Sequence, residues 1–258
     1  MIAIVLVAGQ GTRLRPYTDD KPKCMVKLGG KSLLQRQLEI LRFVGIDDIV
    51  LVGGYRSDRL IAEGVELAIN PRFAETNMVS SLFCAESWMT FGEDFVITYG
   101  DIVYEPHVLT SLIDTNGSIA VSVHRKWKRL WEARMGDPLR DVETLRLADG
   151  NRIVEIGKKP QTLGEIQGQY MGLIKVCCDA SENFRAQWHG LNRRGSYHVN
   201  DCDNIHMTSF IQHLIDSGSD VRAAFTDDGW IEIDTVEDLA CYEQMQQAGT
   251  LAQFVRLM

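Results

Sequence analysis

The chain has 258 residues, 45% of them hydrophobic and 24% charged, with a formal net charge of -8 at pH 7. That is enough chain for one large α/β domain with a full core, in an ordinary globular composition. The acidic balance argues against a nucleic-acid binder, whose domains are usually basic, and no apolar run approaches the roughly 20 residues that a membrane-spanning helix needs. The N-terminus lacks the basic region of a signal peptide. The six cysteines, Cys24, Cys84, Cys177, Cys178, Cys202 and Cys241, show no CxxC spacing. They read as reduced thiols of a cytoplasmic protein rather than as a disulfide frame or a zinc site.

Ile2–Ala8 is a short buried strand that runs into Gly9-Gln10-Gly11-Thr12-Arg13. Glycines in such a turn let backbone N–H groups approach an anion closely. Between Gln10 and Lys31 stand six Lys or Arg and two Asp, a basic island in an acidic chain. A polyphosphate is the partner that such an island suits. Leu33–Phe43 has the apolar spacing of an amphipathic helix, with Ser32 as its cap and Gly45 as its stop. Asp48–Val52 is a second buried strand, so the first 50 residues read as a βαβ unit with a right-handed crossover. Gly53-Gly54-Tyr55 closes that strand, at the edge where parallel sheets bind ligands. A short helix is expected over Arg56–Glu63, a strand over Val65–Ile69 and a turn at Asn70-Pro71. Asn77–Met89 reads as a helix capped by Thr76, followed by a strand at Phe95–Tyr99 that ends in Gly100-Asp101. Pro106–Ile113 is a helix begun by proline, and Ser118–Val123 a fifth strand.

After His124 the pattern changes. Arg125–Leu139 reads as an irregular basic and aromatic flap. Short strands are expected at Asp141–Leu147, Arg152–Gly157 and Gln169–Val176, then a helix near Glu182–Trp188 and a loop over Gly190–Asp203. Ile205–Ile215 reads as a helix, Val221–Phe225 and Trp230–Ile233 as strands, and Val236–Gln246 as a closing helix. There is no internal repeat or linker. The expectation is one domain over residues 1–258, with the region after His124 elaborating the face above the sheet.

Two familiar phosphate motifs do not apply. Gly29-Gly30-Lys31-Ser32 lacks the upstream glycine of a P-loop, since Met25 stands there. Gly9-Gln10-Gly11 lacks the third glycine of a dinucleotide fingerprint, and the second strand ends in Gly53-Gly54 rather than in an acid for a ribose. Asp101, just past a strand end, is either a turn residue or a ligand for Mg²⁺, which takes one or two carboxylates plus phosphate and water oxygens. Asp234, in Ile231-Glu232-Ile233-Asp234-Thr235-Val236-Glu237-Asp238-Leu239, reads from its place alone as the cap of the last helix.

Leu6-Val7-Ala8-Gly9-Gln10-Gly11-Thr12-Arg13-Leu14, with Lys21-Pro22-Lys23, resembles the signature of the nucleotidyltransferases that activate sugar phosphates and phosphocholine. The resemblance implies a Rossmann-like, mostly parallel sheet flanked by helices, with a small antiparallel acceptor-binding region inserted, and it divides the chain into a nucleotide-binding half (1–123) and a half that binds the acceptor and completes a metal site (124–258). It implies Arg13 and Lys23 as catalytic cations, and Asp101 and Asp234 as joint ligands of Mg²⁺. Leu6, Ala8, Gly9, Gly11, Thr12, Gly53, Gly54, Tyr55, Asn77, Ser80 and Gly100 fall where that family binds nucleotide. An Asn-x-x-Ser segment like Asn77–Ser80 lines the base pocket of its cytidylyltransferases, which favours CTP. For the acceptor, a small phosphate or phosphonate, the candidates are Arg125, Trp131, Arg134, Lys158 and Tyr170. Blocks in the second half, among them Asp137-Pro138-Leu139 and Gln169-Tyr170-Met171-Gly172-Leu173, look like the CTP:phosphoglutamine cytidylyltransferases of capsular phosphoramidate synthesis. Phosphocholine, phosphonate and sugar-1-phosphate enzymes remain alternatives, as does a non-catalytic nucleotide binder on the same fold. Neither nucleic acid nor membrane is expected as a partner, and the sequence leaves a homodimer open.

Overall fold

The computed structural model describes residues 1–60, 64–89, 92–135, 137–194 and 202–258. The first half runs β1 (Ile2–Val7), β2 (Lys27–Leu28), β3 (Lys31–Ser32), α1 (Leu33–Phe43), β4 (Asp48–Gly53), β5 (Glu66–Ile69), α2 (Met78–Phe83), β6 (Phe95–Tyr99), β7 (Ile102–Tyr104), α3 (Pro106–Asp114) and β8 (Ile119–His124). The second half runs α4 (Trp127–Met135), β9 (Leu145–Leu147), β10 (Ile153–Ile156), β11 (Gln169–Val176), α5 (Ser181–Arg194), α6 (Met207–Asp216), β12 (Val221–Thr226), β13 (Trp230–Glu232) and α7 (Val236–Gln247). Among the described residues no helix is long and apolar enough to cross a membrane.

The main sheet has seven strands in the order β12-β8-β11-β6-β1-β4-β5. All neighbours are parallel except β11, which runs against both β6 and β8. Its strands are nearly continuous apolar runs because both faces are covered. Ala3, Val5 and Val7 join one core layer with residues of α1, α3, α4 and α7. Ile4 joins the other, with residues of α2, α5 and α6. The same alternation divides Ile49 and Leu51 from Val50 and Val52 on β4, as a period of two requires.

Several expectations hold to within a residue or two. Ser32 caps α1, its side chain accepting from the Gln35 N–H. Gly45 ends that helix at φ +86, donating to the Arg42 carbonyl. Four expectations are corrected. The segment Arg125–Leu139 is not an irregular flap: Trp127–Met135 is helical, with Trp127, Leu130 and Trp131 buried. Three tryptophan rings, Trp127, Trp131 and Trp230, associate there and give α4 an inner face. The cap of α2 is Asn77 rather than Thr76, and α2 itself stops at Phe83. The Thr76 hydroxyl is used by Asn70 and Arg72. The helix at Arg56–Glu63 is a single 3₁₀ turn, Ser57–Arg59, and residues 61–63 lie outside the described set. The loop Gly190–Asp203 begins as helix, since α5 extends to Arg194. Residues 195–201 of that expectation lie outside the described set.

His124, at the end of β8, is 3% exposed and lies edge-on to Trp230. Burial lowers its pKa to about 4. The unfolded chain takes up that proton near pH 6.5, so the stability owed to the neutral ring is lost as pH falls from about 6.5 through about 4. Two to three pKa units correspond to about 3 kcal/mol. His124→Gln is expected to flatten this limb of the stability-against-pH curve, read from urea midpoints at pH 7 and pH 4.5. An unchanged slope contradicts the assignment.

Candidate active site

The site forms at the carboxyl ends of β1, β4 and β6, where each strand meets a glycine. Just past β1 the Ala8 carbonyl accepts from the Tyr55 N–H at 3.1 Å, and near the end of β1 the Leu6 carbonyl accepts from the Gly100 N–H at 3.0 Å. A Cβ on Gly54 would sit 2.5 Å from the Phe73 Cβ and 2.9 Å from the Ala8 carbonyl oxygen. A Cβ on Gly100 would sit 2.6 Å from Val7 and 2.9 Å from the Leu6 carbonyl oxygen. These glycines are close-packing positions that let neighbouring turns converge. Gly9 differs: nothing lies within 4 Å of its imagined Cβ, so its backbone faces open space.

Gly11 adopts the left-handed conformation, φ +62 and ψ +41, before a 3₁₀ turn of Thr12–Leu14. Its carbonyl accepts from the Thr18 hydroxyl and from the Leu14 N–H. The fold brings the Lys23 side chain down onto Gly11, where an added Cβ would meet the Lys23 Cβ at 2.9 Å. Lys23 itself starts a second 3₁₀ turn, Lys23–Met25, after Pro22.

Asp101 and Asp234 are 133 residues apart and meet through the two-stranded sheet of β7 and β13. Its register pairs Glu232 with Ile102 and Trp230 with Tyr104. The Ile233 N–H then donates to the Asp101 carbonyl at 3.0 Å, so Asp234 follows directly beside Asp101. Lys23 Nζ lies between them, 2.7 Å from Asp101 Oδ2 and 2.5 Å from Asp234 Oδ1. Arg13 reaches the other oxygen of Asp234 at 2.5 Å. Burial works against a charged Lys23, but Asp101 and Asp234 outweigh it and raise its pKa above the usual lysine range. Glu232 borders the same cluster. Burial, Asp101 and Asp234 push its pKa up to about 7, against the opposing charges of Arg134 and Lys23.

Leu6, Ala8, Gly9, Lys23, Asn77, Gly100 and Asp101 line a cleft of about 180 Å³. All seven are positions marked in the sequence. Gly11, Thr12 and Arg13 form the turn that carries Arg13 to Asp234. Asn77 is held tightly at one end and loosely at the other. Its Oδ1 accepts from the Met78 N–H at 2.8 Å, while Nδ2 makes long contacts of 3.4 Å with the Asn204 carbonyl and with His206.

Other marked residues do different work. Gly53 packs on Ser57, Leu60 and Leu67 rather than lining the cleft. The Tyr55 hydroxyl donates to the Asp19 carbonyl, and its ring meets Phe73 edge-on. Ser80 donates to the Asp203 carbonyl, and Ser81 is the serine on the cleft wall. Of the acceptor candidates, Trp131 is 3% exposed, stacks on Trp230 and donates to the Asp141 carbonyl. Arg134 is buried against Asp238. Neither is an acceptor contact as placed, because both complete the inner face of α4. Arg125 pairs with Asp227 and stacks on Phe225. Lys158 pairs with Glu155 and is 63% exposed. Tyr170 backs the cleft through an edge-on contact with Tyr99, a lining residue. Sequence reasoning passed over Phe73, which carried no signal beyond a turn aromatic. It also passed over Glu232, whose signal was an acid inside the apolar run Trp230–Ile233.

The donor set suits a hard cation. Asp101 Oδ1 is buried with no hydrogen-bond partner, aside from the oxygen that Lys23 takes. Among the described residues no group of three or more His, Cys, Asp or Glu gathers to hold a metal by protein ligands alone. Two carboxylates leave room for water and phosphate oxygens, which is how Mg²⁺ is usually bound.

Residues 3–166 match the family model of the MobA-like NTP transferase domain. The chain belongs to this nucleotidyltransferase family. This NTP transferase is 38% identical, over 93% of its length and 98% of the relative's, to a CTP:phosphoglutamine cytidylyltransferase of Campylobacter jejuni subsp. jejuni. A choline-phosphate cytidylyltransferase of Streptococcus pneumoniae is 41% identical over a shorter stretch, 32% of this chain and 38% of that one. In fold, the NTP transferase matches the solved inositol-1-phosphate CTP transferase from T. maritima with a TM-score of 0.71, at 24% identity over 99% of this chain and 97% of the other. The mixed sheet with one reversed strand is thus the fold of nucleotidyltransferase structures.

Proposed function

We propose that this NTP transferase is a magnesium-dependent cytidylyltransferase that moves CMP from CTP to the phosphate or phosphonate of a small acceptor, with a phosphoglutamine-like acceptor favoured. The observation that carries the reading is Lys23 held between Asp101 and Asp234 at the mouth of a glycine-walled cleft. The preference for CTP and for that acceptor draws on the relative that aligns over nearly the whole of both chains.

In this reading the acceptor oxygen attacks the α-phosphorus of CTP in line, one P–O bond forms, and the bond to the bridging oxygen breaks. Pyrophosphate carries away the electron pair. The acceptor oxygen is already an anion near neutral pH, so no strong general base is needed. Catalysis rests on positioning and on charge stabilisation. The open backbone at Gly9, the Gly11 turn and Arg13 bind the β- and γ-phosphates. Lys23 neutralises charge that grows on the α-phosphate. Asp101 and Asp234 would hold Mg²⁺, which supplies further neutralisation of the phosphate oxygens. Asn77, with Nδ2 only loosely engaged, offers a donor to the acceptor edge of cytosine.

A pyrophosphate-release assay tests this, with each of the four NTPs, Mg²⁺ and a panel of phosphomonoesters and phosphonates that includes phosphoglutamine. Release with CTP and one acceptor is expected. Release only with UTP or dTTP and a sugar 1-phosphate moves the protein to the sugar branch. CTP binding with no release on any acceptor points to a non-catalytic relative.

A further inference from the structure

Arg134 lies on the inner face of α4, with its side chain only 1% exposed. Its Nε and one terminal nitrogen each reach an oxygen of Asp238 at 3.1 Å. Its other terminal nitrogen points to Glu232 at 3.5 Å. The guanidinium centre sits 5.4 Å from the Trp131 ring centroid, and Trp131 in turn stacks on Trp230 of β13. The planar fork is therefore fixed from three sides.

Asp238 connects this fork to the site. Its Oδ2 accepts from the backbone N–H of Asp234 at 2.9 Å and of Thr235 at 3.0 Å. In return the Thr235 hydroxyl oxygen accepts from the Asp238 N–H, which closes the capping box of α7. A capping box needs only the reciprocal pair of side chains. A buried arginine beneath it is more than a cap requires, and burying a charge is costly unless it is paired. Here the additional group fixes the one carboxylate that holds the Asp234 backbone, and it also touches Glu232, two residues earlier. Asp234 then presents both its oxygens to Lys23 and Arg13.

We propose that Arg134 is a positioning residue for the transfer reaction: acting through Asp238 and Glu232, it sets the β13–α7 corner so that Asp234 faces Asp101 across the cation position. This rests on the reading of Asp101 and Asp234 as the cation-holding pair. It assigns to α4 the task of holding that pair, in place of an acceptor contact by Arg134. Lysine cannot replace the residue, because a single ammonium cannot form the fork to both oxygens of Asp238.

The test measures Mn²⁺ affinity by electron paramagnetic resonance in the presence of CTP, together with the melting temperature and steady-state kinetics. Groups that orient metal ligands typically change metal affinity or activity by about 10–100-fold when altered. Arg134→Lys is expected to weaken Mn²⁺ about tenfold and to lower kcat by a similar factor, while KM for CTP at saturating metal stays near that of the parent. If Arg134→Lys fails to fold, Asp238→Asn carries the test. It keeps an oxygen for the capping N–H groups and loses the charge pair, and the same weakening of Mn²⁺ is expected. Either variant, folded and with unaltered Mn²⁺ affinity, overturns the proposal and leaves Arg134 as a stability residue. Asp234→Asn is the control. If it leaves Mn²⁺ binding intact, the cation reading itself falls and the positioning role with it. If it abolishes binding while Arg134→Lys and Asp238→Asn do nothing, only the positioning role falls.

Discussion

Lys23→Ala is expected to lower kcat about 10²–10³-fold, the scale seen when one group that stabilises transition-state charge is removed. Lys23 lies within 2.7 Å of two carboxylates. Its removal leaves Asp101 and Asp234 facing the cleft without their shared cation, so an arriving triphosphate meets negative charge where it needs positive. The effect on folding should be smaller. Breaking a fully buried pair by deleting one partner costs about 3–5 kcal/mol, but Asp101 and Asp234 remain 21% and 14% exposed and can regain water. The check is pyrophosphate release at saturating CTP beside a melting curve. A folded variant with near-parental turnover shows that Lys23 has another role.

Asp101→Asn is expected to lower kcat by at least about tenfold, and its diagnostic effect is on metal. Asp101, Asp234, Lys23 and Arg13 neutralise one another. A divalent cation arriving alone must compete with Lys23 for both carboxylates. A triphosphate arriving alone must compete with the carboxylates for Lys23 and Arg13. When the two arrive together, the carboxylates turn to the cation and the basic side chains to the phosphates. Metal and CTP should therefore bind with positive coupling, each tightening the other by the same factor. Two unit charges about 4 Å apart interact by about 1–4 kcal/mol between bulk water and a protein surface, which corresponds to a factor of about five to several hundred. Two substitutions then give opposite signs. Asp101→Asn weakens Mn²⁺ in the absence of nucleotide, and Lys23→Met strengthens it. Weakening by both, or no change in either, contradicts the exchange of partners. Isothermal titration with Mn²⁺, before and after addition of CTP, reads all of these quantities.

Local signals were sufficient where the determining interactions are local. The βαβ start, the Ser32 cap and the Gly45 stop depend on neighbours within a few residues, and each appears in the structure as read. The glycine turn and Lys23 were legible for the same reason: a strand end, a positive-φ glycine and a nearby cation all lie within the first 23 residues. Asp101 and Asp234 were legible only through a family pattern, because no periodicity announces that two aspartates 133 residues apart share a site.

What the tertiary structure alone decided is what each buried polar group faces. The sequence made Arg125–Leu139 look like an exposed basic flap, since charged residues outnumber apolar ones there. Trp131 on Trp230 turned it into a helix with an inner face, and Arg134 went inward to Asp238. Likewise, the sequence put an asparagine at the start of α2, and only the fold showed that its Oδ1 caps the helix while Nδ2 remains near the cleft. Chain order determined the strands, the turns and the inventory of charges. The pairing of β7 with β13 and the docking of α4 determined which charges meet, because a buried ion must find its partner in space whatever its distance along the chain.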